Sequence, residues 1–129
     1  MLVSPAEIVA VAKATITECS VKEVEQCLDS ETLLIYIREP QEYMRGHITG
    51  AILVPRGMLE FEIHKLVEAT GTDRTVPPEE QKIVLYCGTG GRSALAAQSM
   101  ESMGYRQVRS MAGGMVAWAT AQLPLDTPA

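Results

Sequence analysis

The stretch "KIVLYCGTGGRSA" (residues 82–94) carries a strand, a loop and the start of a helix in direct succession. Its apolar, β-branched beginning (82–86) is typical of a strand that is buried on both faces of a parallel sheet. The glycines after Cys87 favour a tight loop, and "SALAAQSMESM" (93–103) predicts a helix that stops at Gly104. Strand, loop and helix in this order predict an α/β fold, in which ligands bind where strands end and helices begin. Cys87 lies at such a point.

The same alternation continues on both sides of this stretch. Apolar runs at 33–37 and 51–54 predict two further buried strands, and weaker patterns at 15–19 and 107–111 predict strands nearer the edges of the sheet. Helical patterns lie between these runs: one opened by Ser4 and Pro5, one capped by Ser20 with Glu23 in a capping box, one over 58–69 and one over 115–122. Residues 70–81 are predicted to form a loop. The chain therefore predicts a parallel sheet with helices on both faces.

Length, composition and charge narrow the class of protein. The chain has 129 residues, of which 47% are hydrophobic and 21% charged, and this predicts one globular domain over residues 1–129. Its net charge of −5 argues against a general nucleic-acid or anionic-membrane binder. Its start lacks a basic leader, no apolar run reaches the length of a transmembrane helix, and its three cysteines show no paired spacing. We therefore expect a cytoplasmic protein with no nucleic-acid and no membrane partner.

The glycine-rich loop predicts an anion-binding cradle at Cys87. Gly88, Gly90 and Gly91 allow backbone conformations in which successive N–H groups point inward, and the helix behind them adds the positive end of its dipole. Such a field lowers the pKa of a thiol and favours the nucleophilic thiolate. Cys87 is therefore the candidate nucleophile.

Three polar residues complete the predicted loop. Arg92 supplies a permanent charge and a forked set of donors suited to an oxyanion. Ser93 is predicted to cap the new helix. The hydroxyl of Thr89 is either a further donor inside the ring or part of a turn that faces water, and the sequence leaves both open.

Two other interpretations of the loop fit the sequence less well. Free cysteines are often buried structural thiols, but that role requires neither the glycines nor the arginine that follow Cys87. The run "GTGGRS" (88–93) begins like the dinucleotide-binding pattern G-x-G-x-x-G, yet Ser93 stands where the third glycine belongs. The phosphate-binding pattern G-x-x-x-x-G-K-[ST] is absent from the sequence.

A cysteine-based phosphatase uses the same combination of thiolate, amide ring and arginine. The size of the loop separates the two chemistries. Four residues lie between Cys87 and Arg92, whereas the phosphatase signature has five. The smaller ring suits one extra sulfur atom on the cysteine better than a phosphoryl group with three oxygens.

Three motifs, in order along the chain, resemble those of single-domain rhodaneses, a family of sulfurtransferases. They are C-x-x-x-x-R from Cys87 to Arg92, "REPQEYMRGHITGAILVPRG" (38–57) and "GGMVAWATAQLP" (113–124). The resemblance runs from about residue 16 to residue 124 and leaves residues 1–14 as an N-terminal helical extension. It implies a rhodanese-like fold, with a five-stranded parallel sheet flanked by helices on both faces.

The resemblance also implies an activity. An enzyme of the thiosulfate sulfurtransferase type moves sulfane sulfur from a donor such as thiosulfate to cyanide or a thiol, through a persulfide on its catalytic cysteine, here Cys87. The residues that it implies for substrate binding are Gly88, Thr89, Gly90, Gly91 and Arg92. A protein that accepts sulfur is a further implied partner, and neither a cofactor nor a metal is expected. The alternative is a non-catalytic rhodanese-like module that carries sulfur or binds a partner.

Tyr36 departs from the family's usual pattern "[LI]-[IV]-D-[VI]-R-E", which has an aspartate at this position. The hydroxyl of Tyr36 can serve the same neighbours as that carboxylate, but it cannot pair with them as an anion. Because Cys87 and Arg92 are both present, we expect the change to affect the rate rather than the reaction class.

The remaining histidines, cysteines and tryptophan are predicted to be structural. His47 is expected to make a hydrogen bond within the fold, and His64 to lie exposed on a helix. With two separated histidines and no C-x-x-C pattern, a metal site is not expected. Cys19 and Cys27 lack neighbouring glycines or basic residues in the sequence and are predicted to pack in the interior. Trp118 is predicted to anchor the last helix in the core.

Overall fold

A five-stranded parallel sheet forms the centre of the protein. The structure is a computed structural model that describes residues 1–28, 31–70 and 75–127. The strands are β1 (Thr17–Cys19), β2 (Thr32–Tyr36), β3 (Ile52–Leu53), β4 (Lys82–Tyr86) and β5 (Val108–Met111). Their order across the sheet is β1-β5-β4-β2-β3, and every neighbouring pair is parallel. The predicted α/β fold with a five-stranded parallel sheet is therefore confirmed.

Helices cover both faces of this sheet. They are α1 (Pro5–Thr15), α2 (Val21–Gln26), α3 (Pro40–Arg45), α4 (Leu59–Thr70), α5 (Gly91–Ser102) and α6 (Gly114–Thr120), with 3-10 turns at Arg56–Met58 and Pro78–Glu80. Side chains alternate along β4, so Ile83 and Leu85 join a core with α4 and α5, while Val84 and Tyr86 join a second core with α2 and α6. Among the described residues, no helix is both long and apolar enough to cross a membrane.

Local signals in the sequence predict the starts of α1 and α2 correctly, whereas α3 was not predicted. Ser4 accepts a hydrogen bond from the backbone of Glu7 at the start of α1, and Ser20 with Glu23 forms the predicted capping box of α2. The prediction that Ser93 caps α5 is wrong. The helix begins two residues earlier, after Gly90, whose φ of +100° is the left-handed conformation that glycine tolerates, so Ser93 lies inside the first turn.

The predicted positions of two strands need correction. The pattern at 107–111, expected nearer an edge, forms β5 between β1 and β4, inside the sheet. The apolar run 51–54, expected to be buried on both faces, forms only the two half-buried residues of the edge strand β3. A run of apolar residues indicates that a segment is shielded from water. It does not show whether that shielding comes from helices and loops or from a neighbouring strand on each side. The loop predicted at 70–81 begins after α4 and contains the turn Pro78–Glu80, and residues 71–74 lie outside the described residues.

The parallel arrangement decides where the functional residues meet. The carboxyl ends of all five strands lie at one edge of the sheet. Cys87 directly follows β4, Arg38 follows β2, and Gly113 follows β5. Because β2, β4 and β5 are neighbours, these three segments come together there although they are far apart in the sequence.

Candidate active site

The thiol of Cys87 lies buried at the N-terminus of α5. Cys87 is only 1% exposed, and its Sγ accepts hydrogen bonds from the backbone N–H groups of Gly90 (3.2 Å) and Ser93 (3.4 Å). Amides in the first turn of a helix have no carbonyl partner within the helix, so they are available to the sulfur. The structure thus brings together the predicted thiol and the predicted amide cradle.

A hydroxyl pair behind the thiol was not identified from the sequence as part of the site. The Oγ of Ser93 lies 3.6 Å from the Sγ of Cys87 and 2.7 Å from the Oγ of Ser110, and both serines are fully buried. Ser93 also reaches the carbonyl of Gly90 at 3.3 Å. Ser93 was predicted only as a helix cap. It lies six residues after Cys87 in the first turn of α5, and this position is the signal that could have placed its hydroxyl beside the thiol. Ser110 comes from β5, and no local pattern marks it.

The environment of Cys87 favours its thiolate. Burial alone would raise the pKa of Cys87, but hydrogen bonds from the Ser93 hydroxyl and from the amides of Ser93, Gly90 and Thr89 outweigh burial and lower it. Cys19 shows the opposite balance, because burial raises its pKa to about 11. Of these two buried cysteines, only Cys87 is therefore prepared to act as a nucleophile near neutral pH.

Replacing Ser93 with alanine is expected to move the pH dependence of any reaction of Cys87 to higher pH. The substitution removes a donor that stabilises the thiolate, so the midpoint should rise by about one pH unit and the rate below it should fall about tenfold. The measurement is the rate at which iodoacetamide alkylates Cys87 between pH 5 and pH 10. Ser102→Ala, which removes an exposed hydroxyl bonded to Gln98 at the other end of the same helix, is the control and should leave the profile in place. An unchanged midpoint for Ser93→Ala would show that the Ser93 hydroxyl does not stabilise the thiolate and would leave that role to the backbone amides.

The start of α6 fixes the outer side of the loop. The N–H groups of Met115 and Val116 donate to the carbonyls of Cys87 (2.8 Å) and Gly88 (3.0 Å). These bonds turn the loop carbonyls toward α6 and away from the sulfur. The approach requires glycine at position 114, since a Cβ atom there would overlap the carbonyl oxygen of Cys87 and lie 2.7 Å from the carbonyl of Gly88. The C-terminal glycine motif therefore shapes the active-site loop from outside.

Two guanidinium groups and one carboxylate line the mouth of the cradle. A Cβ atom on Gly88 would lie 3.4 Å from Cζ of Arg38 and 3.5 Å from Nη2 of Arg92, so both arginines lie against the loop next to Cys87. The side chain of Arg92 is 46% exposed, which leaves it accessible to an incoming anion. Glu42, from α3, forms ion pairs with both Arg38 and Arg92. Arg38 and Glu42 were not singled out in the sequence, although both lie in the 38–57 motif.

Tyr36 occupies its unusual position as an uncharged hydrogen-bond acceptor. It is fully buried, stacks on Tyr86 with ring centroids 4.4 Å apart, and its hydroxyl accepts a hydrogen bond from Nη1 of Arg38 (2.8 Å). Burial raises its pKa, so it stays neutral at physiological pH. The structure bears out the expectation that the hydroxyl contacts a neighbouring side chain of the site without pairing as an anion.

The other candidate residues fall into structural roles. His47 is buried and its Nδ1 lies 3.1 Å from the carbonyl of Tyr43, which fits its predicted hydrogen-bonding role. Trp118 is 1% exposed and donates to the carbonyl of Pro124, as expected of an anchor for the last helix.

The two cysteines outside the loop differ from each other. Cys19 is buried and donates to the carbonyl of Ser110 at 3.7 Å. Cys27 is only partly buried, and Nη2 of Arg109 lies 3.8 Å from its Sγ. Both nevertheless pack in or against the second core, as predicted, and the fold brings Arg109 from β5 beside Cys27, which its neighbours in the sequence did not indicate.

The smaller remaining predictions concern Thr89, His64 and metal binding. Thr89 is exposed, and its backbone amide is the group that acts on the thiol of Cys87. His64 is exposed on α4, as predicted. Within residues 1–28, 31–70 and 75–127, no three His, Cys, Asp or Glu side chains are placed to hold a metal ion.

Comparison with known proteins agrees with this geometry. A family model described as the rhodanese-like domain matches residues 20–121. A sulfurtransferase from Allochromatium vinosum is 30% identical over 98 residues, which cover 76% of this chain and 81% of that protein. The polysulfide-sulfur transferase homodimer from Wolinella succinogenes is 28% identical with a TM-score of 0.73, covering 95% of this chain and 86% of that one.

A third relative carries the phosphatase alternative in its own name. A protein of unknown function from Rhodopseudomonas palustris, named as a possible tyrosine phosphatase, is 30% identical with a TM-score of 0.79, and the match covers 98% of this chain and 96% of that one.

The family model, the sulfurtransferase relative and the five-stranded parallel sheet all point to the same family. The chain belongs to the rhodanese-like domain family.

Proposed function

We propose that the protein transfers sulfane sulfur from a donor such as thiosulfate to a thiophilic acceptor through a persulfide on Cys87. The observation that carries this proposal is the environment of the Cys87 sulfur. A buried thiol with a lowered pKa receives backbone N–H groups at 3.2 and 3.4 Å and faces a buried hydroxyl. Such a cradle stabilises negative charge on sulfur both before and after the transfer.

In the first step the Cys87 thiolate attacks the outer sulfur of thiosulfate. A bond forms between the two sulfurs, the S–S bond of the donor breaks, and sulfite leaves with the electron pair. Because sulfite is a stable anion, its departure requires no proton, and the loop needs no general acid. Arg92 is the group that we expect to orient the oxyanion end of the donor.

In the second step the acceptor attacks the outer sulfur of the persulfide. Cyanide leaves as thiocyanate, or a thiolate leaves as a new persulfide, and in both cases the electron pair of the broken bond returns to Cys87 as its thiolate. The amides of Gly90 and Ser93 stabilise this charge without moving, since α5 and the docking of α6 hold the loop in place.

Replacing Arg92 with lysine is expected to raise KM for thiosulfate about fivefold while kcat falls by less. Lysine keeps the positive charge but loses the forked donors that match an oxyanion, and this interaction is made in the bound donor as well as in the transition state. Steady-state thiosulfate:cyanide kinetics measure both constants. Arg106→Lys, a change at an exposed residue paired with Glu80, is the matched control. An unchanged KM for Arg92→Lys would make Arg92 a structural support of the loop instead.

The test of the proposed function is a paired measurement on the purified protein. Incubation with thiosulfate should add the mass of one sulfur atom to the peptide that contains Cys87, and cyanide should remove it. Hydrolysis of an aryl phosphate should stay at background, because the ring from Cys87 to Arg92 is one residue shorter than the phosphatase signature and offers no acid for the leaving group. Phosphatase turnover without a gain of sulfur would replace the sulfurtransferase proposal with the phosphatase one.

A further inference from the structure

Glu42 occupies the position that an anionic sulfur donor would compete for. One of its carboxylate oxygens pairs with Nη2 of Arg38, and the other lies 3.6 Å from Nη1 of Arg92. Both guanidinium groups lie against Gly88, the residue that follows the nucleophile. The cations that face an incoming donor are therefore already shared by one carboxylate.

The fold holds the Glu42 carboxylate in this place. Its Oε1 accepts a hydrogen bond from the backbone N–H of Glu39 (3.1 Å) in the capping box of α3, the helix that follows β2. Its side chain is 21% exposed and that of Arg38 is 25% exposed, so water screens these pairs less than it would at the open surface. Burial acts to raise the pKa of Glu42, but the Glu39 amide, Arg38 and Arg92 lower it, so the group is ionised at neutral pH.

The neighbours of this cluster leave one net positive charge at the mouth. Arg38 meets the neutral hydroxyl of Tyr36 on its other side, so Glu42 is the anion that its guanidinium pairs with. Arg92 adds the second positive charge. A donor with two negative charges therefore enters a site whose positive charge is half compensated before it arrives.

We propose that Glu42 makes this site discriminate among sulfur donors by their charge, weakening the binding of dianions more than that of monoanions. The inference rests on the proposed sulfurtransferase function and names the donor class that the same site prefers. The repulsion between Glu42 and a donor is proportional to the charge of the donor. Thiosulfate, with two negative charges, therefore experiences about twice the repulsion of a monoanion that binds in the same way.

Methanethiosulfonate is the monoanion that matches thiosulfate most directly, because a methyl group replaces one charged oxygen. The Cys87 thiolate attacks its outer sulfur, the S–S bond breaks, and methanesulfinate leaves with the electron pair. Both donors give the same Cys87 persulfide, and charge and atoms balance in both reactions. A difference between the two donors then reports how they bind rather than what they form.

The experiment compares KM for the two donors in the unmodified protein and in Glu42→Gln. Glutamine keeps an amide oxygen for the capping bond to Glu39 and loses only the charge. We expect KM to fall about threefold for methanethiosulfonate and about tenfold for thiosulfate, since doubling the interaction energy squares the ratio. Added salt should shrink both effects. The control is Glu101→Gln, which removes the same charge near the C-terminal end of α5, about 15 Å along the helix from its first residue, Gly91. This control should change KM for neither donor.

The outcomes separate this inference from the function on which it rests. Equal changes of KM for the two donors, or a higher KM in Glu42→Gln, would overturn the discrimination by charge while sulfur transfer itself continued. Failure of every donor to load sulfur onto Cys87 in the unmodified protein would overturn the sulfurtransferase proposal and this inference with it. An unchanged far-UV circular dichroism spectrum and a cooperative thermal transition verify that the Glu42→Gln variant is folded before the comparison.

Discussion

Replacing Cys87 with serine is expected to abolish thiosulfate:cyanide sulfur transfer, with a loss on the order of a thousandfold or more. A serine hydroxyl does not ionise near neutral pH and forms no persulfide, so both steps of the reaction lose their nucleophile and their sulfur carrier. The assay is the formation of thiocyanate, together with the mass of the protein after incubation with thiosulfate. The buried position of Cys87 between β4 and α5 accepts an isosteric serine, so the variant should remain folded.

The two other cysteines provide the matched controls for this prediction. Cys19 is buried with its pKa raised to about 11, so little of its thiol is ionised at neutral pH. Cys27 lies beside Arg109 at the C-terminal end of α2, where a helix presents carbonyls, whereas N–H groups at a helix N-terminus contact the Sγ of Cys87. Cys19→Ser and Cys27→Ser should therefore keep sulfur transfer within about twofold of the unmodified protein. Substantial activity in Cys87→Ser, or its loss in Cys27→Ser, would show that the nucleophile had been misassigned.

Replacing Gly114 with alanine is expected to reduce sulfur transfer about a hundredfold, although residue 114 does not touch the sulfur. The added Cβ would overlap the carbonyl oxygen of Cys87, and the φ of +55° at this position disfavours a side chain. To relieve the overlap, α6 or the loop must shift by a substantial fraction of an ångström, and misplacement of this size has large effects on catalysis. The measurements are kcat/KM for thiosulfate and the melting temperature.

Gly104→Ala separates the effect of the overlap from that of backbone strain. Gly104 also has a positive φ, of +104°, but nothing lies within 4 Å of an added Cβ there. This control should lower the stability by about 1 kcal/mol and leave sulfur transfer unchanged, because Gly104 follows the C-terminal end of α5, at the opposite end of that helix from the cradle. Similar kinetics for the two variants would mean that the contact between α6 and the loop does not position the Cys87 sulfur.

The sequence alone determined the class of the fold and the chemistry of the loop. Both follow from residues that are neighbours along the chain: the apolar run 82–86, the glycines after Cys87, and the helix that they lead into. Hydrogen bonds between a loop and a helix N-terminus span few residues, so composition and spacing suffice to predict the amide cradle, although they did not predict that the Ser93 hydroxyl joins it. Sulfur transfer, the reaction proposed for this loop, was indicated by the resemblance of three motifs to a known family.

Only the tertiary structure decided which distant residues complete the site. Ser110 reaches Ser93 from β5, the start of α6 meets the carbonyls of Cys87 and Gly88, and Glu42 pairs with Arg92 across the mouth. The order of the strands was equally hidden, because apolar runs in the interior and at the edge of a covered sheet look alike. These contacts join segments separated by many residues, and strand pairing and side-chain packing between such segments depend on the whole fold rather than on local propensity. The sequence therefore determined which residue is the candidate nucleophile and which neighbouring segment lowers its pKa. The tertiary structure decided what holds its loop and what charge faces its substrate.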